Sequence, residues 1–218
     1  MTTVQALVTT ADLSPTRNTL VRRSAQLNLA TLAYNSFEGI IALIAGALAG
    51  SIALTGFGLD SLIEVAASLT ALWRLRSDAD PERRERAERL SLRVIGFLFL
   101  ALSLYVGIDA ARALYLREAP RESIAGIVIA ALSVVVMPLL ARAKRKLAVQ
   151  LGSGALAAES QQTSLCAYLS AILLGGLILN AAIGWWWADP VAGLAMVPII
   201  AREGVEGVRG RSACEDCC

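Results

Sequence analysis

The sequence predicts an all-α membrane protein with six transmembrane helices, cytoplasmic N and C termini and a weak inverted repeat. Of its 218 residues, 56% are hydrophobic and only 17% are charged, and the mean hydropathy is +0.60. The apolar residues collect into long runs, of the length that crosses about 30 Å of hydrocarbon. A soluble domain of this size carries more charge and shorter apolar runs.

The six apolar runs follow one another with polar segments between them. They cover roughly residues 27–49, 52–73, 94–116, 122–141, 153–180 and 186–201. The charged segment 74–93 mixes acidic and basic side chains, which favours a solvated helical loop over a nucleic-acid or lipid site. The sixth run is short, contains Pro198 and could extend towards Gly207 as an interfacial helix.

Charge predicts the orientation and the limits of the parts. We expect a polar cytoplasmic lead over residues 1–24, a six-helix transmembrane domain over 25–207 and a Cys-rich cytoplasmic tail over 208–218. Six spans place both termini on one side, and all but three of the 20 Lys and Arg residues lie there. The positive-inside rule makes this side cytoplasmic. The lead lacks the apolar segment of a secretion signal, so we expect a multi-pass protein of the cell membrane.

Two carboxylates lie in the middle of the second run. Asp60 and Glu64 are four residues apart, so a helix presents both on one face, near the bilayer midplane. An ionisable side chain at that depth is costly and indicates a functional site by default. The alternative is a polar pair that joins helices. Two acids with no basic residue in any predicted span would repel each other, which favours the functional interpretation.

A weak internal repeat gives the two acids partners. A shift of 102 residues superimposes two short matching segments, and in that register Asp60 falls on Gln162 and Glu64 on Cys166. The second helix is expected to run inward and the fifth outward, so the repeat would be inverted. Transporters built from inverted repeats bind their substrate near the midplane, where the repeats meet.

These side chains carry the ligand chemistry of a metal site. Asp60 and Glu64 offer anionic oxygens, while Gln162 offers a neutral oxygen. Cys166 offers a thiol that becomes a thiolate on metal binding. Four ligands match a tetrahedral zinc site, and a cation that binds two buried acids would release protons. Glu159 shares the face of Gln162 and could be a substitute ligand.

Each of these residues also has a plainer interpretation. Cys166 could be a small packing residue, Gln162 an interhelical hydrogen-bonding group and Glu159 an interfacial acid. In the first run, Asn35 and Glu38 could hydrogen-bond the ligands from behind or form a proton path. They could equally be a packing pair.

The remaining polar features divide between helix ends and the tail. Asp189 is expected to be a helix cap or an interfacial residue. Cys214, Cys217 and Cys218 could trap soft metal ions, although a terminal tail of this kind is more often disordered. The chain contains no His, and we find no nucleophile–base pair and no phosphate loop. We therefore predict no enzymatic activity and no permanently bound cofactor.

Two segments resemble the cation diffusion facilitator, or cation efflux, family. Residues 50–54 followed by Asp60-x-x-x-Glu64 resemble its second helix, which ordinarily carries an Asp or His and an Asp four apart. Residues 156–166 resemble its fifth helix, which ordinarily carries His-x-x-x-Asp. The resemblance extends over roughly residues 20–207. It implies a six-helix exporter of divalent cations, usually zinc, that exchanges protons and works as a homodimer.

The chain departs from the family pattern at three side chains and at its end. Gln162 stands in place of His, Cys166 in place of Asp, and Glu64 in place of the second acid, Asp. Because few residues follow the sixth run, we expect a short form that lacks the family's cytoplasmic C-terminal domain.

We therefore expect an exporter of a divalent transition metal, zinc first, with cadmium, iron, cobalt or manganese behind it. Protons, the lipid bilayer and a second copy of the chain are its expected partners, and nucleic acid is not. One rival is a non-transporting metal sensor or scaffold whose fifth-helix site has decayed. Another is an organic-cation carrier with Asp60 as counter-ion.

Overall fold

Six α-helices and no strand make up the part of the chain that the structure describes. The structure is a computed structural model, and it describes residues 15–76, 81–151 and 154–209. In chain order the helices are α1 (Pro15–Ala49), α2 (Ile52–Arg76), α3 (Pro81–Leu116), α4 (Ile124–Leu151), α5 (Gly154–Ile183) and α6 (Ala188–Val208). The predicted all-α class is confirmed.

Five of the helices contain a stretch that is long and apolar enough to cross a membrane. These stretches are Arg22–Ala49, Ile52–Leu69, Arg93–Leu116, Ile124–Gln150 and Glu159–Ile183. Helix α6 is not among them, in keeping with the short sixth run. Its 21 residues span about 30 Å at a rise of 1.5 Å per residue. It ends at Val208, so the expected extension towards Gly207 is confirmed.

The helices are longer than the apolar runs. Helix α1 begins about ten residues before the predicted domain, α2 and α3 continue through most of the charged segment, and α4 runs ten residues past its apolar run. The extensions are rich in Arg, Lys, Glu, Ala and Leu, which are strong helix formers in water as well as in lipid. The apolar runs therefore indicated the position of each helix and underestimated its length.

Helix α2 lies at the centre of the bundle. It packs against α1, α3, α5 and α6, while α4 packs on α1 and α5, and α3 on α6. Phe57 and Leu54 of α2 are fully buried within the core. The chain enters α2 through Gly50, whose φ of +65° is the left-handed conformation that ends α1 and turns the hairpin.

The start of α2 is tied to the start of α6. Asp189, in the first turn of α6, is buried and accepts hydrogen bonds from the Ser51 hydroxyl and, at 3.0 Å, from the Ile52 backbone N–H. Ser51 Oγ in turn accepts a bond from the Leu54 N–H at 3.1 Å. Asp189 is thus a helix cap, as expected, but the helix that it caps is α2.

Close packing of α3 on α6 depends on glycine. A Cβ on Gly96 would lie 2.5 Å from the Val208 backbone nitrogen, and one on Gly204 would lie 2.9 Å from the Leu100 backbone nitrogen. Small residues allow membrane helices to approach in this way. Gly175 on α5 differs, since a Cβ there would meet no atom within 4 Å.

This contrast gives a stability test with one substitution at two sites. We expect Gly96→Ala to destabilise the protein by about 1–3 kcal/mol, because backbone must move to admit the methyl group. Gly175→Ala is expected to be neutral or stabilising, since Ala favours a helix. Thermal unfolding in detergent measures both. Equal melting temperatures for the two variants would contradict the close α3–α6 approach.

Candidate cation site

Asp60 and Glu64 lie on the buried face of α2. Their exposed fractions are 3% and 4%, as the spacing of four residues predicts for one helix face. Because α2 is central to the bundle, this face meets several helices rather than lipid. Both acids line recesses that open between α2 and its neighbours.

Helices α2 and α5 run antiparallel beside these acids. Ser68, late in α2, shares a recess with Glu159, early in α5. Asp60, earlier in α2, shares a recess with Leu169, later in α5. The predicted inverted repeat requires this antiparallel relation; the repeat itself stays a prediction.

One recess, of about 220 Å³, lies between α1, α2, α4 and α5, and we call it the polar recess. Its charged and amide side chains are Asn35, Glu64, Lys144, Glu159 and Gln162. Three of these are acids or amides that we had singled out as ligands, and one was expected to support them. Lys144 had not been expected at all.

Several polar atoms around the polar recess lack partners. Asn35 Nδ2 donates a hydrogen bond of 2.6 Å to Glu64 Oε2. Among the atoms that the structure describes, Glu64 Oε1, Asn35 Oδ1 and Gln162 Nε2 are buried and make no hydrogen bond. An unpaired polar atom in hydrocarbon is costly. The nitrogen and oxygen of an amide exchange places by rotation, so this wall could present three oxygens to a bound cation.

The second recess, of about 250 Å³, lies between α2, α3, α5 and α6, and we call it the carboxylate recess. Asp60, Glu64, Gln162 and Glu203 bring polar groups to it, and the rest of its wall is apolar. Glu64 and Gln162 line both recesses and therefore lie between them.

Glu203 was missed because it lies beyond the apolar run of the sixth helix. A sequence signal did exist. Glu203 follows Met196 by seven residues and Ile200 by three, and both of those side chains are buried. That spacing places all three on one face of α6.

Cys166 lies outside both recesses. It is a free, buried cysteine that packs with Leu169 and Leu173 in the hydrophobic core. In the part of the chain that is described, no three His, Cys, Asp or Glu side chains converge as a ready metal site. The structure thus brings Asp60, Glu64 and Gln162 to one recess, and the Cys166 side chain does not line that recess. Its role as a ligand stays a prediction.

Glu38 of α1 is held by hydroxyl groups from two other helices. It is fully buried and accepts hydrogen bonds from Ser61 of α2, at 3.1 Å, and from Ser133 of α4. Tyr34 lies 2.8 Å from the Ser133 hydroxyl and extends this network. Asn35 therefore contacts a predicted ligand directly, whereas Glu38 joins α1, α2 and α4 next to Asp60.

Lys144 of α4 is a buried cation within an apolar span, and the third span contains Arg112, so the expectation that no span contains a basic residue is wrong. Its exposed fraction is 2%, and its Nζ lies 3.8 Å from Glu159 Oε2. It also donates to Thr163 Oγ1 at 3.3 Å. Glu159 therefore has an ion-pair partner, and Asn28 donates to its other oxygen at 3.2 Å.

Lys144 is one of four basic residues in the five-residue segment 142–146, so its burial was not expected. Arg142, Arg145 and Lys146 are exposed, but Lys144 shares the buried face of Ala141 and Ala148. Helical spacing along α4 could have separated it from its neighbours. The tail thiols of Cys214, Cys217 and Cys218 lie outside the described residues.

The comparison with protein families decides the assignment. Residues 29–209 match the cation efflux transmembrane domain, which takes in most of α1 and all of the other five helices. The chain belongs to the cation efflux family. An uncharacterized transporter of Synechocystis sp. (strain PCC 6803) is 28% identical over an alignment of 160 residues that covers 69% of this chain. The same match covers 50% of that relative, so the chain spans about half of its length.

Family membership confirms the resemblance that α2 and α5 predict. The cation efflux family is a family of transporters, in line with the prediction that the chain is not an enzyme. Together with the five apolar helices, it makes this chain a multi-pass membrane protein.

The Asn35–Glu64 hydrogen bond of this cation efflux protein can be tested by a double-mutant cycle. Asn35→Leu is expected to destabilise by about 1–3 kcal/mol, because it leaves the buried acid without its donor. In the double variant Asn35→Leu/Glu64→Leu, the loss of unfolding free energy is expected to be smaller than the sum of the losses in the two single variants. Chemical or thermal unfolding in detergent measures the cycle, and Ser36→Ala, whose hydroxyl bonds only within α1, is the control. Strictly additive losses would contradict the contact.

Proposed function

We propose that this chain exports a divalent transition-metal cation, zinc first, through the two recesses beside Glu64. The observation that carries the proposal is the Glu64 carboxylate, which is buried between both recesses and has one oxygen without a hydrogen-bond partner among the described residues. A membrane helix retains such a group where it serves a cation or proton pathway. Asp60, one turn earlier, adds a second negative charge from the same helix.

Asp60, Glu64 and Gln162 are the core ligands of the proposed site. All three line the carboxylate recess, and two carboxylates with an amide oxygen suit a borderline or hard divalent ion. Cys166, one turn after Gln162, is the soft ligand that would favour zinc or cadmium in the complete shell. Glu159 belongs to the proposed site through its ion pair rather than as a free ligand.

Proton exchange follows from the chemistry of the acids. Two carboxylates that share a dry site retain a proton until a cation neutralises them, so cation arrival releases protons. The hydroxyl chain of Tyr34, Ser133 and Ser61 around Glu38 offers those protons a relay. We further propose cytoplasmic termini, from the distribution of Lys and Arg, and a homodimer, from the family resemblance.

The size of the recesses favours a metal ion over an organic cation. The space in each recess that admits the centre of a water-sized sphere is about 10 Å³, which is roughly the room that one water molecule needs. A bare metal ion fits such a space, whereas an organic cation needs room for several heavy atoms. The organic-cation carrier is therefore the weaker alternative.

Flux through the proposed site can be measured in inside-out vesicles with a zinc-sensitive dye. We expect Asp60→Asn and Glu64→Gln each to reduce zinc uptake about tenfold or more, since each removes one fixed charge without changing shape. Glu118→Gln, an exposed carboxyl at the end of α3, is the matched control and should transport like the wild type. Undiminished flux in both site variants would show that the cation passes elsewhere.

A tail deletion separates transport from sensing. Removing residues 214–218 should leave zinc flux within about twofold, because none of the proposed ligands of the transport site lies among these residues. A sensor or scaffold would show no flux and would lose metal binding with the tail. The measurements are vesicle flux and zinc binding by the purified chain. Absence of flux in the full-length chain, together with zinc binding that is lost when the tail is deleted, would favour the sensor.

A further inference from the structure

Lys144 is a positive charge inside the polar recess. Its side chain is 98% buried, as its exposed fraction of 2% shows. A buried ammonium is tolerated only where an opposite charge or good acceptors compensate it. Glu159 Oε2 at 3.8 Å and Thr163 Oγ1 at 3.3 Å provide that compensation.

The same recess contains a second carboxylate that the ammonium could neutralise. Glu64 lines it from α2, opposite Glu159 on α5, and Lys144 reaches it from α4. In the described part of the chain Lys144 is ion-paired with Glu159 and not with Glu64, while Glu64 Oε1 has no hydrogen-bond partner. The recess thus contains two carboxylates and one ammonium, and the ammonium is paired with the Glu159 carboxylate.

We propose that Lys144 is a tethered cation that competes with the substrate cation for Glu64, and that Glu159 holds it aside. This inference rests on the proposed function, because it supposes that Glu64 binds the transported ion. Lysine suits the role, since its ammonium carries three donors on a flexible stem of four carbons. When the substrate leaves, the ammonium can turn to Glu64 and neutralise it. When a divalent ion arrives, repulsion drives the ammonium back to Glu159.

Glu159 is arranged to hold the ammonium. Its Oε1 accepts a hydrogen bond from Asn28 of α1, so the carboxylate is braced from the far side. Thr163, one turn later on α5, donates to the Glu159 carbonyl oxygen at 3.0 Å while its hydroxyl oxygen accepts from Lys144. Three helices therefore fix the resting position of the charge.

The arrangement makes ionic charge a criterion of selection. A monovalent cation offers Glu64 no more charge than the ammonium already supplies. A divalent ion offers twice as much and has the stronger Coulomb attraction at the same distance. The tethered ammonium thus lowers affinity for every cation but handicaps monovalent ions most.

The test is zinc binding by the purified full-length chain in lipid nanodiscs, measured by calorimetry. All variants carry Cys→Ser at positions 214, 217 and 218, so that the tail thiols do not contribute. Lys144→Gln is expected to tighten zinc binding about tenfold, and Glu159→Gln to weaken it about tenfold because the ammonium then turns to Glu64. The double variant should bind zinc within about threefold of Lys144→Gln, because Glu159 acts by holding an ammonium that is no longer there.

Lys146→Gln is the matched control. It removes the same charge from an exposed position on the same helix and should leave zinc affinity unchanged. Lys144→Met provides a second neutral variant if Lys144→Gln does not fold, and it must also tighten binding. Lys144→Arg keeps the charge and must not tighten zinc binding.

Weaker or unchanged zinc binding in the neutral Lys144 variants would overturn the inference. So would effects of Lys144→Gln and Glu159→Gln that add in the same direction. Failure of the proposed function gives a different result: the parent then binds no zinc, or Glu64→Gln binds zinc as tightly as the parent does.

Discussion

The carboxylate of Glu64 must be compensated by other helices, because hydrocarbon offers it neither water nor ions. Polar side chains of three other helices provide this compensation. Helix α1 provides the amide of Asn35, α4 brings Lys144 into the same recess, and α5 contributes Gln162 and Glu159. These groups are far apart in sequence, so compensation of one charge requires four helices to pack in one arrangement.

The compensation of the Glu64 carboxylate is incomplete. At the junction of the polar and carboxylate recesses, Glu64 Oε1 and Gln162 Nε2 are buried and make no hydrogen bond within the part of the chain that the structure describes. By contrast, Glu38 is surrounded by hydroxyl donors, and Asp189 is satisfied by a hydroxyl and a backbone amide. Both carboxylate oxygens of Glu38 and of Asp189 thus have a hydrogen-bond donor. Glu64 remains able to accept another partner.

The sequence predicted the all-α class and the acid pair because both depend on local patterns. Apolar runs reveal where helices cross hydrocarbon, and a spacing of four residues reveals a shared face. The inward orientation of Lys144 and of Glu203 was not predicted, for a common reason. Each lies just past the predicted apolar run of its helix, where local polarity suggests solvent, yet each shares the buried face of that helix, which only the helical spacing of its apolar neighbours indicates. Cys166 shows the converse, since its repeat register matches Glu64 although its side chain packs into the core.

The bond between Asp189 and the start of α2 has a mechanical consequence. It joins the first turns of α2 and α6 through a hydroxyl and a backbone amide, where both helices are buried. Any rearrangement that opens the recesses must either keep these two helix ends together or expose a carboxylate and an uncapped helix terminus at the same time. The first option is less costly, so we expect this end to act as a pivot. Glu64 and Glu203 lie well along their helices from it, where a small rotation produces a larger displacement.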